Sequence, residues 1–219
     1  MCFSAEADVV AGLVVTAIGV DALRQVRRPA ERPLGVLPVL LGAHLLVEAI
    51  VWQGLTGDVS ASVGRQAMWL YLAFALVVLP VLVPFAVAGV EPDPGRRRTM
   101  TRLGVVGGIL AGVYLIGLIE GPVDVSIEGS HLAYRLGMDH GGLLAGIYAV
   151  VACAPPMLSS ERRIAAFGLA NLVAVVALVW IESSALTSLW CAWAAVTSVA
   201  IAAHLRRAHR EPGIRVHPA

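Results

Sequence analysis

The sequence predicts an all-α fold: one bundle of seven transmembrane helices over residues 1–219, with a small extracytoplasmic β-hairpin as its lid. Three observations predict it. Hydrophobic residues make up 58% of the chain and charged residues only 14%, with mean hydropathy +0.80. A soluble domain carries about 25% charged residues. Seven apolar stretches follow one another, each near the ~20 residues that a bilayer requires. The arginines collect at alternate ends of those stretches, the pattern of the positive-inside rule.

The same composition removes several function classes. The net charge of +1 and the lack of any basic run interleaved with aromatics leave no case for nucleic acid as a partner. All sixteen basic residues are arginine. Lysine chemistry, from Schiff bases to the phosphate-binding lysine of a P-loop, is therefore excluded. Three cysteines, Cys2, Cys153 and Cys191, form no Cys-x-x-Cys pair, so zinc-ribbon and thioredoxin readings fall away. The start, MCFSAEAD, lacks a basic region and does not read as a cleavable signal peptide.

The first span is expected from about Ser4 to Leu23, followed by a basic loop with Arg24, Arg27, Arg28 and Arg32. The second is Leu34–Leu55, and a short polar loop to Arg65 follows. The third runs from about Gln66 to Val90, with a kink expected at Pro80 and Pro84. EPDPGRRRTMTR reads as a turn-rich basic loop before the fourth span, Leu103–Ile119. The outer loop, 121–140, alternates apolar residues (Val123, Val125, Ile127, then Leu132, Tyr134, Leu136) around Gly129, which reads as a hairpin with one apolar face. The fifth span, Gly141–Met157, is short and broken by Pro155 and Pro156. The sixth is Ile164–Ile181, and the seventh Thr187–Leu205 precedes a basic tail, 206–219. All arginines except Arg65 and Arg135 fall on one side. That places the N-terminus outside and the C-terminus in the cytoplasm of a bacterial inner membrane.

Against this apolar background, His44 and Glu48 stand out. They lie at i, i+4 on one face of the second span, about 6 Å apart along its axis. A carboxylate near the bilayer centre costs roughly 2.5–3.5 kcal/mol even on a lenient scale, so the pair requires a partner. His140, Glu182 and Glu6 are expected at the same outer level. Together the five form a nitrogen and oxygen donor set for a divalent metal ion, zinc above all, with Glu48 or Glu182 as the base on a metal-bound water. The competing reading is interhelical packing glue, which is also the expectation for Asn171. Cys2 offers an amine and a thiol together, which would suit copper; it could instead pair with Cys191. Cys153 reads as packing. The five tryptophans read as an aromatic belt or as pocket lining.

The opening Met1-Cys2-Phe3-Ser4-Ala5 resembles the start of a family of bacterial multi-pass membrane proteins, in which an MCFSA head precedes a first span and a second span carries His and Glu, here His44 and Glu48. The resemblance implies a seven-helix integral membrane fold and attaches no activity. The arrangement of spans also looks like that of seven-helix membrane zinc hydrolases such as the alkaline ceramidase and adiponectin-receptor group. This chain departs from them in lacking a His-x-x-x-His pair in the seventh span. The expected function is a membrane protein with a polar, metal-binding site in its outer half, a metal-dependent hydrolase of a small-molecule or lipid substrate. The alternatives are a non-enzymatic ligand or metal sensor, and a transporter.

Overall fold

The computed structural model describes residues 4–129, 131–181 and 186–210, and these form seven helical rods with one two-stranded sheet. Helix α1 (Ala5–Arg24) begins where the Ser4 hydroxyl accepts from the Ala7 amide at 3.3 Å, an N-cap bond. Its buried residues, Asp8, Gly12, Val15, Gly19 and Ala22, recur every three or four positions and so make one stripe. That stripe lies on α2 (Arg32–Thr56), which runs back antiparallel after a tight turn. In the turn the buried Glu31 carboxylate accepts from the Arg27 amide and the Arg28 side chain. Small residues let the two backbones touch: a Cβ on Gly19 would lie 2.5 Å from the Val39 nitrogen, and one on Gly42 would lie 2.5 Å from the Thr16 nitrogen. Helix α2 ends at Gly57, whose φ of 88° is the left-handed stop that glycine takes without strain.

Helix α3 (Ala61–Ala73), a π-helical turn (Phe74–Val78) and α4 (Leu79–Val90) run on as one rod. The expected proline effect appears here as the π turn. In it the Leu79 amide bonds the Phe74 carbonyl. The Ala75 carbonyl would then look to residue 80, which is proline and has no N–H. The Tyr148 hydroxyl, from another helix, donates to that carbonyl at 2.8 Å. The basic stretch after α4 is only partly loop. Asp93 accepts from the Arg96 amide at 2.7 Å and Pro94 opens α5 (Pro94–Glu120), so Arg96–Arg102 are already helical. A cap and a first-position proline start a helix well before its apolar run begins.

The hairpin forms as the alternation requires: β1 (Val123–Glu128) pairs antiparallel with β2 (His131–Leu136), with Gly129 at φ 58° in the turn. The register sets Val123 against Leu136, Val125 against Tyr134 and Ile127 against Leu132, which makes a single apolar face. On the other face Arg135 pairs with Glu128. Helix α6 (Gly141–Met157) keeps Pro155 and Pro156 within its last turn. Helices α7 (Arg162–Ile181) and α8 (Leu186–Arg210) are the last two among the described residues. Helix α8 closes on α1 and α2, with the Arg206 guanidinium on Asp21 at 2.6 Å.

Besides a small cluster of Val87, Ala88 and Met100, two larger core clusters lie at different levels of the bundle. One, toward the arginine-rich end, joins α1, α2, α4 and α8 around Leu37, Leu41, Leu79, Ile201 and Leu205. The other joins α2, α3 and the end of α5 around Trp52, Met68, Tyr71 and Leu118, and the hairpin's apolar face packs on it. Large apolar side chains such as Ile109, Ile119 and Val173 point outward and are more than half exposed, a surface suited to lipid. Among the described residues three helices are long and apolar enough to cross a membrane: Pro29–Thr56, Ala61–Val90 and Pro94–Glu120. Gly141–Met157 is a shorter apolar one.

Candidate functional site

The site is built on the half of α2 nearest the hairpin. His44 is 7% exposed and Glu48 fully buried, so the pair faces the protein interior. The His44 ring stacks on Tyr71 of α3, centroids 3.9 Å apart and planes 12° from parallel, and meets Phe74 at 4.8 Å. Tyr71 in turn stacks on Tyr134 of β2, at 4.8 Å and 12°. Three rings thus form a column from the buried imidazole to the hairpin. Such pairs contribute about 0.5–1.5 kcal/mol each beyond burial. The stack leaves the edge of the imidazole available, and its Nδ1 has no hydrogen-bond partner among the described residues.

Asp8 joins this level and is fully buried. Gly19 meets α2 at Val39 and Gly12 meets it at Leu46. The same antiparallel register carries Asp8 to the turn of α2 that holds Glu48 and Trp52. Asp8 and Glu48 are both engaged by neighbours. Two carboxyl groups and an imidazole therefore occupy one stretch of the bundle interior, under the hairpin.

The other candidates lie elsewhere. Glu6 is exposed; it sits two residues, about 200°, around α1 from Asp8. His140 is exposed at the head of α6 with φ 62°. Glu182 lies outside the described residues, as does Cys2, and with it the Cys2–Cys191 pairing. Among the described residues no three His, Cys, Asp or Glu side chains come close enough together to hold a metal ion. Asn171 links three helices: its amide donates to Cys153 Sγ at 3.3 Å, and the Trp193 indole donates to its carbonyl at 2.6 Å. Trp52 is buried in the cluster beneath the hairpin, so it is not part of a lipid-facing belt. Asp8 is the residue that sequence reasoning missed. The available signal was its place on the Gly12–Gly19 stripe, four residues before Gly12.

The chain is a mostly helical protein whose apolar helices of spanning length and outward-facing aliphatic side chains point to membrane association. The chain belongs to DUF6629, a family of unknown function, and the match covers residues 1–215. No curated protein and no solved structure matches it.

Proposed function

We propose that this is an integral membrane protein with seven spans, N-terminus outside and C-terminus in the cytoplasm of a bacterial inner membrane, whose outer half binds a cationic ligand. A divalent metal ion is the leading occupant, zinc before copper. The observation that carries the reading is the burial of Asp8, Glu48 and His44 at one level beneath the hairpin. Acidic groups within an apolar bundle are costly, and a cation would add to the neighbours that already engage Asp8 and Glu48. His44 supplies a neutral nitrogen donor whose Nδ1 edge has no hydrogen-bond partner among the described residues.

A catalytic zinc keeps three protein ligands and a water, and a closed binding site takes four. The described side chains supply no trio, so binding and hydrolysis alike need a donor beyond His44, Glu48 and Asp8. Glu182 is the candidate for that donor, and in the hydrolytic version for the base as well. The test is metal content of the purified protein, measured with melting temperature in zinc and in chelator. The expected result is bound metal at one per chain and a melting temperature raised by zinc. His44→Phe, which preserves the ring stack and removes the donor, should lose both effects. Wild type without metal and without a zinc-dependent shift would reduce the pair to interhelical glue, worth about 0.6–2 kcal/mol.

A further inference from the structure

The arginine-rich end of the bundle holds a cavity of about 320 Å³ between α2, α4, α6, α7 and α8, at the lower end of the ~300–1,000 Å³ typical of small-molecule sites. Its walls are aliphatic, from residues such as Leu37, Leu41, Val83 and Ile201. Tyr148, Asn171 and Trp193 also line it, but their polar groups are engaged within the protein: Tyr148 on the Ala75 carbonyl, Trp193 on Asn171, Asn171 on Cys153. The interior therefore offers contact surface and few hydrogen bonds. Its charged lining is cationic. Arg163, near the start of α7, and Arg207, near the end of α8, both border the cavity, and neither forms an ion pair among the described residues.

We propose that this cavity takes one acyl chain of an anionic phospholipid from the surrounding bilayer, with the lipid phosphate held between Arg163 and Arg207. Apolar walls match the chain. Two guanidinium groups from different helices match a phosphate, which arginine binds through paired N–H donors. A basic pocket between membrane helices at the cytoplasmic side is the setting in which anionic head groups bind. The proposal rests on the membrane placement above and is independent of the His44 site.

Delipidated full-length protein in detergent, titrated with phosphatidylglycerol, phosphatidylcholine or oleate and read by native mass spectrometry, tests it. Phosphatidylglycerol should bind at least about tenfold tighter than phosphatidylcholine, and Arg163→Gln with Arg207→Gln should erase that preference. Ala200→Leu, which narrows the cavity, should weaken both phospholipids; Ala203→Leu serves the same purpose if the first variant fails to fold. Equal binding of the two phospholipids, or a preference that survives the double variant, would overturn the proposal. Oleate binding as tightly as phosphatidylglycerol would overturn the phospholipid assignment in favour of a free fatty acid. Metal content and melting temperature in zinc, recorded on the same double variant, should stay at wild-type values, so failure here is distinguishable from failure of the cation-binding reading.

Discussion

Gly19 and Gly42 determine how closely α1 approaches α2, and everything above them in the bundle inherits that spacing. A side chain at Gly19 would meet the backbone of Val39, which cannot rotate away. Gly19→Leu should therefore lower stability by about 1–3 kcal/mol or more, read as a fall in melting temperature in detergent. Gly108, beside which a Cβ would meet nothing, is the control, and Gly108→Ala should change the melting temperature little. Glu91 makes a second prediction. It lies in the α4–α5 loop and accepts from Ser159 and Ser160 at the start of the α6–α7 loop. Burial works to raise its pKa, but the hydrogen bonds from Ser160, Ser159 and the Asp93 amide outweigh burial and hold it below 4.5. A carboxyl depressed in the fold stabilises above its ordinary value and loses that contribution as pH falls through the folded value. Melting temperature should thus drop as pH is taken below 4.5, and Glu91→Gln should start lower and show a shallower drop. At this scale His44 and Glu48 were legible because a charge inside an apolar run is conspicuous. Asp8 was not. It sits near a chain end beside Glu6, and only the register of α1 on α2 separates the buried acid from the exposed one.

The hairpin is the element the sequence declared most openly, since two-residue alternation around a glycine has few other solutions. Its apolar face and the pairing of Val125 with Tyr134 follow directly. What alternation does not contain is the column Tyr134–Tyr71–His44, because stacking depends on the rotation of α3 beneath the strand. The α3–α4 rod shows a similar limit. Prolines announced an irregularity, and the structure resolves it as a π turn whose spare Ala75 carbonyl is taken by Tyr148, a residue far off in sequence. Tyr148→Phe removes that donor and leaves the carbonyl buried without it. The expected cost is about 1–3 kcal/mol, measured by unfolding in detergent, with helix content by circular dichroism unchanged. Helix α5 ran longer than its apolar core because its cap, not its hydropathy, fixed the start.

For the whole molecule, hydropathy anticipated the helical character. Among the described residues three helices are both long enough and free enough of charge to cross a membrane. Helix α1 falls short because Glu6, Asp8, Asp21 and Arg24 lie within it, and α6 because it has 17 residues. A 20-residue helix spans about 30 Å, so α1 is long enough if its acids are sheltered or lie at the interface. Asp8 is buried on α2 and Asp21 sits near the end beside Arg206. The central claim is that all seven rods cross, with the hairpin outside and the arginine-rich loops inside. The direct measurement is paired reporter fusions, alkaline phosphatase and a fluorescent protein, after Ala219 and within the hairpin turn at Gly129. The account predicts fluorescence without phosphatase activity after Ala219, and phosphatase activity without fluorescence at Gly129. Phosphatase activity after Ala219, or both positions on the same side, would contradict the seven-span topology and the outward placement of His44, Glu48 and Asp8.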